Sequence, residues 1–175
     1  VSVGDGNIIS GLHKGFRDLQ ALGWLETMPR IFGVQSEGSA AIAQAFERES
    51  EEITAVEADT LADSISVNLP SDGLRALRAA TETGGAYLQV SDAEILAAIA
   101  DLGRSGIFAE PAGATALAGV RKAHQASLLA GDDAVLAINT GSGLKDVSAA
   151  MQAAGQAKVI EPSLEALSVA IGEVK

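Results

Sequence analysis

Three times in this chain a short apolar run ends in a turn of small or polar residues and opens directly into a stretch of helical periodicity. Val1-Ser2-Val3 leads through Gly4-Asp5-Gly6-Asn7 into residues 8–22, where Ile8, Ile9, Leu12, Phe16, Leu19 and Leu22 keep the spacing of three and four that makes one helical face. Gly23 gives that helix its stop. Arg30–Gln35 is a second apolar run, turned by Glu37-Gly38-Ser39 into the Ala-rich stretch 40–48. Ala86–Val90 is a third, and it meets Ser91-Asp92-Ala93-Glu94, the capping-box pattern in which a Ser hydroxyl and a Glu carboxylate satisfy each other's free backbone N–H groups. Strands alternating with helices predict an α/β chain: an open, mostly parallel sheet with helices on both faces.

The remaining segments fit the same plan. Residues 49–70 are acidic and irregular and read as a connecting excursion across the end of the sheet, and 74–83 as a helix broken by Gly84-Gly85. The Ser91 helix is expected to run to about Leu102. Pro111 suits a first helical turn, and the Ala-rich tract behind it predicts a helix to about residue 129. Asp133–Asn139 is the strongest strand signal in the chain and ends in the turn Thr140-Gly141-Ser142-Gly143. A helix near 145–154, a short strand over 157–161 and a helix from Ser163 complete the pattern. At 175 residues the chain is long enough for one well-buried domain. Aromatic residues are 3% of it against 47% apolar residues, so Ala, Leu, Ile and Val must build the core.

Composition removes several functions. A net charge of −11 disfavours nucleic acid, whose backbone is held by Lys and Arg. No apolar run reaches the roughly 18–20 residues of a membrane helix, no secretory pattern opens the chain, and a soluble cytoplasmic protein is expected. The absence of Cys excludes disulfides and thiolate metal sites. His13 and His124 lack a metal-ligand spacing, and both are expected on helix surfaces; no metal is expected.

Ligands of open α/β sheets bind beyond the carboxyl ends of the strands, where both glycine turns fall. At Gly4–Asn7 the bared backbone N–H groups and the positive end of the following helix make an anion site suited to phosphate. Asp5 would repel a phosphate unless its carboxylate points outward or caps the helix. Thr140 places a hydroxyl at the end of an apolar run, and a plain helix cap or local hydrogen bond would also account for it. The pattern lacks the third glycine and the spaced acidic residue of a dinucleotide site.

VGDGNIISGLHKGF, RIFGVQSEGS, TLADSISV, GIFAEPAGATALAG and NTGSGLKD, in this order, resemble the carboxyl-terminal half of the threonine synthase family, pyridoxal-phosphate enzymes of the tryptophan-synthase-β type (fold type II). The resemblance implies that the loop of Gly4, Asp5, Gly6, Asn7 and Ile8 cradles the cofactor phosphate through backbone N–H groups. It implies that Thr140 hydrogen-bonds the pyridine nitrogen, and it places Ser64 and Glu110 near the cofactor rim. It also implies an activity, the conversion of O-phosphohomoserine and water to threonine and phosphate, in which a lysine holds the cofactor as a Schiff base. None of Lys14, Lys122, Lys145, Lys158 and Lys175 stands in the family's motif for that lysine. Lys14 and Lys145 lie near the turns and read as solvated or dipole-related charges.

The whole chain, 1–175, is therefore expected to be the carboxyl-terminal part of a large domain, without the amino-terminal half that carries the lysine, and to be inactive alone. Apolar surface left without that half predicts a homo-oligomer. Two alternatives stand beside this reading: a threonine/serine dehydratase-type lyase, and a non-catalytic binding or assembly module that kept the fold.

Overall fold

The computed structural model describes residues 1–172. Its elements follow the strand-to-helix plan: α1 (Asn7–Ala21), β1 (Gly33–Ser36), α2 (Ala41–Glu47), α3 (Gly73–Thr81), β2 (Tyr87–Val90), α4 (Asp92–Arg104), α5 (Pro111–Gln125), α6 (Val147–Ala154) and α7 (Leu164–Gly172). β1 and β2 run parallel, with Gly33 opposite Tyr87 and Ser36 opposite Val90. Val1–Val3 lies along the other edge of β1 through a single parallel bridge, in which Val3 N–H donates to Val34 O at 2.8 Å and Val34 N–H to Val1 O at 2.9 Å.

Alternation across the sheet sorts the chain into two cores. Leu88, Val90 and Val34 face α4 and α5, with Ile95, Ala98, Ala114 and Ala118 packed against them. Tyr87 faces the opposite side, among Ile9 of α1, Ile42 of α2 and Ala76 of α3. Its hydroxyl donates to Ala76 O at 2.8 Å, and burial pushes its pKa upward. Gln35 turns the same way and spends its amide on helix α2: Oε1 accepts the N–H groups of Ile42 and Ala43 at 3.0 and 2.9 Å, satisfying donors that the helix itself leaves free. Small residues make the layers close. At Gly119 of α5 a Cβ would stand 2.2 Å from a Val34 methyl, so the helix rests directly on the sheet.

The excursion 49–70 does cross the end of the sheet, and hydroxyls and one carboxylate stitch it down. Val67 N–H donates to Ser39 Oγ at 2.9 Å, and Asp92 accepts from Thr60 Oγ1 at 2.6 Å and from Leu61 N–H at 3.0 Å. The capping box at Ser91 forms in full: Glu94 N–H donates to Ser91 Oγ, and Ser91 N–H to the Glu94 carboxylate at 2.7 Å.

Four expectations need correction. Asp133–Asn139 forms no strand: among the described residues nothing lies alongside to share a ladder, so its apolar sequence has no backbone partner, and Leu136 is 81% exposed. Residues 157–161 are not a strand either, and Val159 stands on the surface. The helix after Pro111 ends at Gln125 rather than 129, and Ser127 takes a left-handed φ of 57° just beyond it. His13 is not on the surface; it is buried on α1, its Nε2 3.6 Å from a Glu82 carboxylate oxygen. His124 is exposed as expected.

Candidate functional site

A cleft of about 280 Å³ opens where the first glycine turn, the excursion and the Thr140 turn converge. One wall is the N-terminus of α1. Gly6 stands at its N-cap position with φ 94°, a conformation glycine adopts freely, and an added Cβ there would meet Asp72 O at 2.8 Å. Among the described residues no side chain caps this helix. The first backbone bond of the helix is Ser10 N–H to Gly6 O, which leaves the N–H groups of Asn7 and Ile8 ahead of it, at the wall of the cleft. Bared donors at the positive end of a 15-residue helix suit an anion such as a phosphate.

Asp5 does not obstruct this. Its carboxylate accepts Ser71 N–H at 3.0 Å and its carbonyl accepts Asp72 N–H at 2.9 Å, so the side chain is occupied by the 70–73 loop.

The opposite wall is the turn after residue 139. It is fixed to the start of α5 by an antiparallel bridge between Ala109 and Ser142, with Glu110 N–H donating to Gly141 O and Gly143 N–H to Phe108 O. Thr140 therefore stays in place although the run that precedes it joins no sheet. Its Oγ1 lies 3.3 Å from Ser2 Oγ on the neighbouring edge segment.

Ser64, in a short 3₁₀ turn over Asp63–Ile65, and Glu110, the residue before Pro111, complete the rim. All eight residues singled out in the sequence thus line one cavity. Two polar side chains that sequence reasoning did not place here join them. Ser2 is buried beside Thr140. Lys145 is solvent-exposed along its side chain, as expected, but it is paired: its ammonium donates to Glu110 Oε1 at 2.8 Å and sits 3.3 Å from Ser64 Oγ. Nothing local announces either contact, because the partners are 138, 35 and 81 residues away in sequence. Lys14, by contrast, is exposed and pairs along α1 with Asp18.

A second concavity, about 420 Å³, is larger but chemically plain. Its walls are apolar side chains such as Phe32, Val34 and Leu88, faced by Val135–Ile138, and its charged members Arg30 and Asp133 pair with each other at 2.9 Å. Convergent polar groups, not size, make the smaller cleft the candidate site. Among the described residues no cluster of acidic or histidine side chains could hold a metal ion, and no helix is long and apolar enough to cross a membrane.

Comparison with known proteins bears on this cleft. Residues 1–141 match the family model described as pyridoxal-phosphate dependent enzyme. The chain is 36% identical over 171 residues to a threonine synthase of Methanosarcina acetivorans, covering 97% of this chain and 42% of that protein. It is 33% identical over 176 residues to a threonine synthase of Methanocaldococcus jannaschii, covering 99% and 44%. Among solved structures it superposes on the processed form of threonine deaminase isoform 2 from Solanum lycopersicum with a TM-score of 0.65 at 23% identity, over 88% of this chain and 40% of that one. It superposes on an L-serine ammonia-lyase from Rhizomucor miehei with a TM-score of 0.64 at 18% identity, over 86% and 47%. At such identities these two likenesses speak for the fold alone. The chain spans less than half the length of the curated relatives it matches.

Proposed function

Because the chain belongs to the pyridoxal-phosphate dependent enzyme family, we propose that it forms the carboxyl-terminal part of the large domain of a threonine synthase, whose full length converts O-phosphohomoserine and water to threonine and phosphate. Similarity to threonine synthases along almost the whole of this chain supports that assignment. The observation that carries it is the cleft, where the uncapped N-terminus of α1 and the Thr140 hydroxyl face one cavity.

The residues present fit pyridoxal phosphate. Backbone N–H groups of the Gly4–Ile8 turn take its phosphate, with Asp5 held aside by Ser71 N–H. Thr140 meets its ring nitrogen with an uncharged hydroxyl, oriented by Ser2 Oγ. When bound, the cofactor supplies an electron sink for carbanionic chemistry next to the substrate amino group. This chain's own part is to anchor and orient that group. Lys145 lines the cleft but is engaged with Glu110, and no lysine of the chain stands in the family's Schiff-base motif, so residues 1–175 alone are expected to turn over no substrate.

The test is phosphate release from O-phosphohomoserine by the full-length protein supplied with pyridoxal phosphate. Threonine and phosphate in equal amounts are expected. Ammonia and a keto acid from threonine or serine, without phosphate release, would replace the synthase reading with a dehydratase. Exposed apolar residues on the carboxyl-terminal stretch, among them Leu136, Leu164 and Val169, support assembly into a homo-oligomer. Light scattering of the full-length protein checks it, and a monomer would overturn it.

A further inference from the structure

Glu110 is only 5% exposed, yet it does not cap the helix it precedes. Its carboxylate is pressed instead against the turn that follows Thr140: a Cβ on Gly141 would lie 1.8 Å from Glu110 Oε1. A buried carboxylate therefore stands beside the residue whose neutral hydroxyl meets the ring nitrogen in the reading above. Left alone it would offer that nitrogen a full negative charge and favour its protonation, because an opposite charge close by stabilises the charged form. Asp5, the other carboxylate lining the cleft, is occupied by Ser71 N–H.

The charge at Glu110 is answered by Lys145. Its ammonium donates to Glu110 Oε1 at 2.8 Å and sits 3.3 Å from Ser64 Oγ on the facing rim, so it is tethered between two walls of the cleft. The backbone that delivers it is fixed as well, by the short 3₁₀ turn Gly143–Lys145 and by the Ala109–Ser142 bridge.

We propose that Lys145 is a positioning residue of the cofactor site: it neutralises the Glu110 carboxylate, so that the ring nitrogen meets the uncharged Thr140 hydroxyl in an electrostatically neutral setting. The inference rests on the pyridoxal-phosphate reading of the cleft and goes beyond it by giving the Lys145–Glu110 pair an electronic task.

The experiment uses the full-length protein loaded with pyridoxal phosphate labelled with ¹⁵N in the ring, whose nitrogen resonance reports protonation independently of turnover. In the unmodified protein the resonance is expected in the unprotonated range. Lys145→Met is expected to move it toward the protonated range and to shift the absorption band of the bound cofactor, whereas Lys145→Arg keeps both in place. The double variant Lys145→Met with Glu110→Gln removes the unpaired charge and is expected to restore the original resonance. Should Lys145→Met fail to fold, Lys145→Gln, which can still hydrogen-bond the Glu110 carboxylate but carries no charge, takes its place and is expected to shift the resonance the same way.

An unshifted resonance in Lys145→Met, or a double variant as displaced as the single one, overturns the proposal. Failure of the unmodified full-length protein to bind pyridoxal phosphate overturns the underlying reading instead, so the two failures are told apart.

Discussion

Ala86–Val90 and Asp133–Asn139 carry the same strand signal, and the molecule treats them differently. The first becomes β2, paired residue for residue with β1 and sealed between two helical layers, with Val90 fully buried. The second is the longer of the two and holds the longer unbroken apolar stretch, Ala134–Ile138, yet it joins no ladder among the described residues, and Val135 and Leu136 are 48% and 81% exposed. Apolar side chains reward burial, but a strand also needs a neighbour to take its backbone N–H and C=O groups. Sequence periodicity reports the first requirement only.

The contrast can be broken or sharpened by substitution, with effects read from urea unfolding. The largest is expected at Gly85, the residue that brings the chain into β2, where an added Cβ would stand 1.9 Å from Ile31 O. Backbone cannot yield there as a side chain tip could, so Gly85→Val should cost more than about 3 kcal/mol or prevent folding. Next comes Leu88, the buried member of a matched pair of leucines whose other member is Leu136. Leu88→Ala empties a place in the core on β2 and should cost about 2–4 kcal/mol.

A smaller effect is expected one residue beyond β2. Ser91→Ala removes the cap of α4 and should cost about 1 kcal/mol. Its partner Glu94 has a pH dependence with a definite sign. Burial raises its pKa, but the Ser91 N–H and hydroxyl and the Lys122 ammonium outweigh that and hold it below the usual carboxylate value. The ionised form is thus the one the fold stabilises. The contribution is present above the unfolded pKa of about 4.3 and fades as pH falls through the lower folded value. Glu94→Ala should accordingly cost under about 1 kcal/mol at pH 7, since the group is partly solvated, and less still in acid. The smallest effect belongs to the other run: Leu136→Ala should stay within about 0.5 kcal/mol. A loss equal to that of Leu88→Ala would show the run to be packed after all.

What could be read ahead of the structure divides along the same line. The helices were legible because periodicity, caps and stops act within a few residues, and the capping box at Ser91 is the clearest instance. The glycine turn at Gly4–Asn7 was legible because a bared helix start is a local event. Gathering Ser64, Glu110 and Thr140 with that turn required the resemblance to a family, since spacing carries no statement about which turns meet. The contacts of Lys145 with Glu110 and Ser64 were not legible at all, and its charge near a helix start suggested solvation. His13 was missed for a related reason: a polar residue on a helix reads as exposed until the packing of α1 on α3, and Glu82 beyond it, are known.

Helix α5 ties the two ends of the molecule's design together. It starts against the cleft at Glu110, and at Gly119 it is seated on Val34 of β1 without room for a methyl group. At a rise of 1.5 Å per residue these two points stand about 14 Å apart along a rigid rod. The helix is therefore a spacer of fixed length, with one foot on the sheet and the other at the ligand. Any sliding of the sheet would be delivered undiminished to the cleft, and the alanines and glycines that look like filler in the sequence set the tolerance to which the site is held.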